Sequence, residues 1–290
     1  MPGPAVVARD AVRLRLYHHP DGTRVAYRET GTGPTLALLH STMLSHKEWE
    51  PVVDALSDRF RLVLPDLPLH GDSEVGPGHP YTRDWFVDVL AGFSAEVLGP
   101  RPILAGHELG AELILFAVLD GRIAPSRIVL MPNRMHGRAG HAGLRRVWRL
   151  AARCAGVPGL RRALSHGAQL VFRPGLGARL SVRGVPEASD LVRHAFADVG
   201  GNVELARSWA RFAGRWPAGA QTGLLDAYGR LEPPVLLLWA DSDPEHPLEL
   251  AERARDLIPG AQLRVLEGTG YLLSYDDPVG LARELAAFCV

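Results

Sequence analysis

The stretch Pro102-Ile103-Leu104-Ala105-Gly106-His107-Glu108-Leu109-Gly110 joins an apolar, strand-like run to an apolar, helix-like run that continues to Leu119. A sharp turn from strand to helix needs small residues on both sides of its central residue, because larger side chains would crowd the neighbouring strand and helix. Such a turn holds the central residue at a strained backbone angle above the carboxyl edge of a sheet. The spacing of Gly106 and Gly110 therefore predicts a strand–turn–helix unit that presents Glu108.

Strand-like and helix-like runs alternate on both sides of this turn. The runs that predict strands are Val12–Tyr17, Thr23–Arg28, Thr35–Leu39, Arg61–Leu64, Pro102–Ala105, Arg127–Met131, Val235–Trp239 and Gln262–Leu266. The runs with helical spacing are Trp49–Leu56, Tyr81–Leu98, Leu109–Leu119, Pro247–Leu257 and Val279–Phe288. Strands that alternate with helices favour a mostly parallel sheet flanked by helices on both faces.

The interval 134–233 interrupts this alternation. It is helical in pattern and rich in arginine, and no run in it predicts a strand of the sheet. We interpret it as a helical cap inserted between two core strands. Residues 1–133 would then form the first part of the core and residues 234–290 the second part.

The composition limits the class of function. The 290 residues carry a formal net charge of zero, which gives no global field to attract nucleic acid or an anionic membrane. The two cysteines, Cys154 and Cys289, have no metal-ligand spacing, and no secretory signal or membrane-spanning apolar run is recognisable. We therefore expect a cytoplasmic protein, a monomer or a homodimer, that acts on a small molecule without a metal or other cofactor.

Four further segments follow the same order along the chain as known motifs. They are Leu38-Leu39-His40-Ser41-Thr42-Met43 with Trp49, Pro65-Asp66-Leu67-Pro68-Leu69-His70-Gly71-Asp72-Ser73, Trp239-Ala240-Asp241-Ser242-Asp243-Pro244 and Gly268-Thr269-Gly270-Tyr271. Together with the turn at 106–110, they resemble the α/β-hydrolase superfamily over nearly the whole chain. In that family they are the oxyanion loop, the "PDLPGHGxS" turn, the segment with the catalytic acid and the Gly-x-Gly-His segment. The resemblance implies an α/β-hydrolase fold.

The resemblance also implies which residues stand at the catalytic positions. Glu108 replaces the nucleophilic serine, Tyr271 replaces the histidine, and Asp243, with Asp241 as the adjacent alternative, takes the place of the acid. A phenol with a pKa of about 10 is a poor general base near neutral pH, so ordinary Ser-His-Asp hydrolysis is excluded. The turn is also similar to the "GHDWG" motif of epoxide hydrolases, but those enzymes need the histidine to activate water.

A carboxylate shielded from water under a cap can exchange a proton with a substrate near neutral pH, so we predict that Glu108 is a general acid or base. Two backbone amides, of Leu109 and of Ser41 or Thr42, are expected to stabilise a developing oxyanion. We also expect Tyr271 to donate a hydrogen bond to that oxygen. In this scheme Asp243 orients Tyr271. The predicted oxyanion and substrate-binding residues are His40, Ser41, Thr42, His107, Leu109, Trp49, Asn133 and His136.

These features favour a non-hydrolytic enzyme that acts on a bulky, largely apolar natural-product intermediate. The reaction would be a cyclisation, an epoxide opening or the formation of a carbon–carbon bond. In this respect the chain is similar to the hydrolase-fold proteins that form a carbon–carbon bond in anthraquinone-fused enediyne biosynthesis, although no single motif identifies that group. Two alternatives stay open: an epoxide-hydrolase-like hydrolase with a carboxylate nucleophile, and a catalytically silent protein that binds a ligand.

Overall fold

The computed structural model describes residues 12–76, 78–138, 180–188, 190–191 and 203–290. Its strands are β1 (Arg13–His18), β2 (Arg24–Thr30), β3 (Thr35–Leu39), β4 (Arg61–Pro65), β5 (Ile103–Gly106), β6 (Arg127–Leu130), β7 (Val235–Ala240) and β8 (Gln262–Leu266). They form one sheet in the order β1-β2-β4-β3-β5-β6-β7-β8. The β1–β2 and β2–β4 pairs are antiparallel and the others are parallel. The predicted fold class is confirmed.

Helices cover both faces of this sheet. They are α1 (Glu50–Leu56), α2 (Arg83–Phe93), α3 (Leu109–Leu119), α4 (Val203–Arg215), α5 (Gly223–Ala227), α6 (Leu248–Leu257), α7 (Leu273–Asp276) and α8 (Pro278–Cys289), with 3-10 turns at His46–Trp49 and Tyr228–Arg230 and a π turn at Ser94–Leu98. The buried side chains form one cluster on each face of the sheet. Helix α3 is buried almost all round because it lies between the sheet and α2.

The parallel register brings the functional loops together. Leu39 pairs with Gly106, and Gly106 pairs with Leu130, so β3, β5 and β6 end at the same level. Strand β7 runs parallel beside β6 and ends at the same edge. Because the carboxyl ends of parallel strands share one edge, the loops that follow these strands meet above it.

The interval predicted to be a cap lies between two strands that pair directly, β6 and β7. In the described part of this interval the regular elements are helices. Helix α4 packs its aromatic side chains against α2: the ring of Phe86 lies 5.6 Å from the rings of both Phe212 and Trp216. Much of the predicted cap, including 139–179, lies outside the described residues. None of the described helices is long and apolar enough to cross a membrane.

Candidate active site

The turn after β5 has the strained geometry expected from its glycines. Glu108 has φ +43° and ψ −102°, outside the regions that side-chain-bearing residues prefer. A Cβ atom at Gly106 would lie 2.5 Å from the carbonyl carbon of Gly110, and one at Gly110 would lie 2.4 Å from the oxygen of Leu39. Both positions therefore require glycine, and the turn lifts Glu108 above the edge of the sheet.

The carboxylate of Glu108 lies against two backbone N–H groups at the edge of the sheet. Its Oε2 accepts hydrogen bonds from the backbone N–H of Thr42 at 2.8 Å, from the backbone N–H of Leu109 at 2.7 Å and from the Thr42 hydroxyl. The two amides are the pair that the sequence predicted for a substrate oxyanion. In this structure they bind the protein's own carboxylate, which the positive end of α3 also favours.

The second oxygen of Glu108, Oε1, makes no hydrogen bond to the residues that the structure describes. Within the described ranges, every hydrogen bond of this carboxylate goes to Oε2, and Oε1 has no partner. The side chain is partly exposed. The structure therefore presents one anchored and one available carboxylate oxygen.

Tyr271 lies beside this carboxylate. Its ring centroid is 4.6 Å from that of His107 and 5.9 Å from that of His246. Burial raises the pKa of Tyr271 well above its usual value of 10.0, and the negative charge of Glu108 raises it further. Tyr271 is therefore a neutral phenol at any ordinary pH.

Asp243 has partners other than Tyr271. Its Oδ2 accepts a hydrogen bond from Nδ1 of His246 at 2.8 Å, and its Oδ1 accepts one from the backbone N–H of Glu245 at 2.7 Å. The expected contact between Asp243 and Tyr271 is not among the hydrogen bonds of the described residues, and each carboxylate oxygen is instead bound by a group of its own loop. The alternative acid, Asp241, accepts hydrogen bonds from the backbone of the loop at 268–269.

The sequence analysis missed His246. It is buried, and its ring stacks on that of Tyr271. In the neutral tautomer that donates from Nδ1 to Asp243, the lone pair of the ring lies on Nε2. A histidine three residues after a predicted catalytic acid is the signal that would have indicated this pair. An imidazole from a neighbouring loop thus lies against Tyr271.

Glu48 is a second residue that the sequence analysis missed. Its side chain is buried beneath the oxyanion loop. Oε1 contacts Nδ1 of His107 at 2.5 Å, and Oε2 accepts hydrogen bonds from the Ser41 amide at 2.7 Å and the Ser41 hydroxyl at 3.0 Å. Burial opposes charge on both partners, yet the pKa of His107 is raised by Glu48 and the pKa of Glu48 is lowered by His107. The two side chains form a buried ion pair.

His40 and Trp49, both predicted to line the site, lie underneath it. His40 is fully buried, where Nδ1 donates to the Ser41 carbonyl at 2.7 Å and Nε2 accepts from the Leu67 amide at 2.9 Å. Burial lowers the pKa of His40, so the ring is neutral. Its two hydrogen bonds connect the loop that contains Ser41 with the loop that contains Leu67. Trp49 packs into the core cluster that contains Leu38.

Asn133 and His136 lie in the loop after β6. The Asn133 amide group donates to the Met131 carbonyl at 2.8 Å, and its oxygen accepts from the Met135 amide at 2.7 Å, so it shapes the turn. His136 lies 3.5 Å from the Tyr228 hydroxyl, and burial lowers its pKa. None of the contacts described joins these two residues to Glu108.

The wall around Tyr271 is apolar. The ring belongs to a small cluster whose other members are Leu44, Leu180, Val185, Ala188, Leu191, Leu272 and Tyr275. The segment at 180–183 is held to the Tyr271 loop by Asp276, which accepts hydrogen bonds from the Ser181 hydroxyl at 2.6 Å and the Gly270 amide at 2.8 Å. Apolar side chains around Tyr271 and the carboxylate of Glu108 beside it suit a largely apolar organic ligand.

Comparison with known proteins agrees with this architecture. The sequence profile of the alpha/beta hydrolase family matches residues 36–284. An uncharacterized protein of Mycobacterium tuberculosis is 25% identical over 281 residues, which are 94% of this chain and 79% of that protein. An uncharacterized hydrolase of Bacillus subtilis is 21% identical over 92% of this chain and 95% of its own length. A crystal structure of an alpha/beta hydrolase fold protein from Burkholderia ambifaria superposes with a TM-score of 0.78 at 21% identity, covering 97% of this chain and 100% of the other.

Proposed function

The chain belongs to the alpha/beta hydrolase family, and we propose that it is a non-hydrolytic enzyme of that family in which Glu108 transfers protons to and from a bulky, largely apolar organic substrate. One observation carries the proposal: Oε2 of Glu108 is anchored by two amides and a hydroxyl while Oε1 is left available. A carboxylate held in this way is an oriented general base.

The same observation argues against acyl transfer to a serine. Ester hydrolysis needs backbone amides to stabilise the oxyanion of the tetrahedral intermediate. Here the amides of Thr42 and Leu109 are occupied by a permanent negative charge. An incoming oxyanion would have to displace that charge, and no group at the turn would then act as the nucleophile.

The proposed chemistry starts with removal of a substrate proton by Oε1. In the opening of an epoxide by an internal hydroxyl, Glu108 takes the hydroxyl proton, the new C–O bond forms and the epoxide C–O bond breaks. The resulting alkoxide then recovers the proton from Glu108, so the net charge is conserved. The same two proton transfers serve a cyclisation or a carbon–carbon bond formation in which a carbanion attacks a carbonyl group. Such reactions are typical of natural-product assembly.

The ring opening of 5-nitrobenzisoxazole tests the base without knowledge of the substrate, because this probe needs only a carboxylate base in an apolar site. We expect turnover by the wild-type protein and a loss of at least about 100-fold in kcat/KM in Glu108→Gln. Glu50→Gln, which changes an exposed carboxylate of α1, is the matched control and should keep the wild-type rate. A wild-type protein that leaves the probe unchanged, or an active Glu108→Gln variant, would contradict the proposal.

A second candidate function is hydrolysis through a covalent ester on Glu108. The Asp243–His246 pair favours it, because Nε2 of His246 has the lone pair needed to activate water. Attack of Oε1 on an epoxide carbon would leave Oε2 as an ester carbonyl already bound by the two amides. In a single turnover in H2¹⁸O the label should then enter the Glu108 side chain and not the diol. An unlabelled Glu108 peptide excludes this route.

A further inference from the structure

A cleft separate from the candidate active site lies beside the C-terminal half of α3. It has a volume of about 460 Å³ and is bounded by the end of α3, the start of α2 and residues between 217 and 230. Clefts of this size commonly hold small organic ligands. At a rise of about 1.5 Å per residue, Phe116 on its wall lies about 12 Å along the helix axis from Glu108. Among the described residues that line the cleft, none donates a hydrogen bond to the Glu108 carboxylate.

The cleft is walled largely by apolar groups. Phe116 and Leu119 come from α3, and Leu224 and Ala227 come from α5. An apolar ligand body that packs against these side chains would leave water, which favours binding roughly in proportion to the area buried.

Arg83, the first residue of α2, brings a positive charge to this wall. Its guanidinium carbon lies 3.8 Å from the centroid of the Phe116 ring, a cation–π contact that holds the guanidinium in place. Its ion pair within the described ranges is with Asp84, whose carboxylate is 3.6 Å from Nε and whose side chain is 86% exposed. That distance is too long for a hydrogen bond, and an exposed pair of this kind contributes little. The charge of Arg83 is therefore largely uncompensated.

Arg230 supplies a second positive charge at the rim. It lines the cleft and is exposed, and none of the hydrogen bonds or ion pairs of the described residues involves its side chain. Asp120 is the one carboxylate among the described lining residues. Two guanidinium groups beside one carboxylate leave a net positive charge, which a single anionic group would balance.

The segment opposite α3 is held in place before any ligand binds. The Pro217 carbonyl accepts a hydrogen bond from Nη1 of Arg134 at 2.5 Å, and the backbone N–H of Gln221 donates to the His136 carbonyl at 3.0 Å. The side-chain N–H groups of Gln221 donate to Glu112 and to the Met135 carbonyl, both at 3.2 Å. These donors are thus already engaged, which leaves the two arginines to bind the polar end of a ligand. A wall fixed in advance lowers the ordering cost of binding.

We propose that this cleft is a second ligand site, for a small organic monocarboxylate. The carboxylate accepts hydrogen bonds from Arg83 on the wall and Arg230 at the rim, and an apolar body packs along Phe116 and Leu224. The planar fork of a guanidinium matches the two oxygens of a carboxylate. A neutral ligand of the same shape would fill the walls and leave both positive charges without a partner. The site lies apart from Glu108 and is additional to the proposed function.

The matched ligands 2-naphthoate and 2-naphthamide test this site, since they share a flat apolar body and differ in charge. Fluorescence titration of the wild-type protein should show 2-naphthoate bound at least about tenfold more tightly, as expected for charge-assisted hydrogen bonds in a partly shielded site. Raising the ionic strength from about 0.05 M to about 0.5 M should weaken the binding of 2-naphthoate and leave that of 2-naphthamide unchanged.

Arg83→Gln removes the charge and keeps most of the side chain. It should bring the two dissociation constants within about threefold of each other by weakening 2-naphthoate alone. Arg230→Gln changes an exposed residue that folding does not depend on, so it tests the site even where Arg83→Gln fails to fold, and it should weaken 2-naphthoate at least about threefold. Arg255→Gln is the matched control, because this exposed arginine of α6 is not among the residues that line the cleft, and it should keep the wild-type preference.

Binding of neither ligand by the wild-type protein, or equal binding of both, overturns the inference. A preference for 2-naphthoate that persists in the arginine variants of the cleft would place the carboxylate elsewhere and overturn it as well. Equal weakening of both ligands in Arg83→Gln would show that the variant damages the apolar walls, and the outcome for Arg230→Gln then decides. These titrations are independent of the 5-nitrobenzisoxazole assay, which reports on Glu108.

Discussion

Replacing Glu48 by a glutamine should destabilise the protein through His107. The two side chains are 2% and 0% exposed, and Nδ1 of His107 lies 2.5 Å from the Glu48 carboxylate. Removing one partner of a buried ion pair costs about 3–5 kcal/mol. His107 can release its proton when the carboxylate is gone, which limits the cost, so we expect the lower end, about 3 kcal/mol. At about 2 °C per kcal/mol for a chain of this size, the melting temperature should fall by about 6 °C.

The pH dependence of this loss has a definite sign. The pKa of His107 is raised from 6.5 in the folded protein, so its contribution is complete below pH 6.5 and is lost as the pH rises through the folded value. The pKa of Glu48 is lowered from 4.5, so its contribution is complete above pH 4.5 and is lost as the pH falls through the folded value. The difference in the free energy of unfolding between wild type and Glu48→Gln should be largest between pH 4.5 and pH 6.5, and it should shrink below and above that range.

Urea unfolding at a series of pH values measures this difference directly. Glu50→Gln removes a carboxylate two positions away that is exposed to solvent, and it should stay within about 0.5 kcal/mol of wild type. Histidine NMR adds the protonation state, with His107 titrating above 6.5 in wild type and at a lower pH in Glu48→Gln. A loss below about 1 kcal/mol, or one that does not vary with pH, would refute the buried ion pair.

Three further outcomes are expected. Arg134→Met should lower the free energy of unfolding by about 3–5 kcal/mol, because Glu112 is then buried without the positive charge of Arg134. Adding Glu112→Met should recover most of the loss in a double-mutant cycle. Gly110→Ala should distort the turn, since its Cβ would lie 2.4 Å from the Leu39 oxygen, and both the melting temperature and the ring opening of 5-nitrobenzisoxazole should fall. The absorbance difference between wild type and Tyr271→Phe should contain no phenolate signal up to pH 10.0, whereas a signal below that pH would contradict the burial of this phenol.

Local pattern predicted a mostly parallel sheet flanked by helices, and the resemblance of the motifs implied the α/β-hydrolase fold. Three predicted runs coincide with elements of the structure, because each run is bounded by residues that end it. They are Thr35–Leu39 (β3), Leu109–Leu119 (α3) and Gln262–Leu266 (β8). The strained turn at Glu108 was also predictable, since it depends on two glycines close in sequence. These features are set by neighbours along the chain, which a single sequence displays.

The hydrogen-bond partners in the site were much less predictable. The order of the motifs predicted that Asp243 orients Tyr271. In the structure its carboxylate instead accepts a hydrogen bond from His246, which lies in the same loop. Glu48 lies outside the motifs and the helical runs that the sequence displays, and its contact with His107 forms only when the loop after β3 packs against the turn after β5. The direction in which a side chain points at the edge of a sheet depends on several loops at once. A local sequence pattern does not predict that direction.

Glu108 and Tyr271 are coupled. A glutamate is long enough to fold back onto the Leu109 amide and to reach Thr42, so its carboxylate occupies the two amides that were predicted to bind an oxyanion. The resulting negative charge raises the pKa of Tyr271, which removes the phenol as a base and keeps it as a neutral hydrogen-bonding group. Restoring a histidine at 271 alone would therefore leave the oxyanion site occupied and Asp243 still bonded to His246. In the proposed function, Glu108 and Tyr271 would act in place of a hydrolytic triad, and the state of each depends on the other.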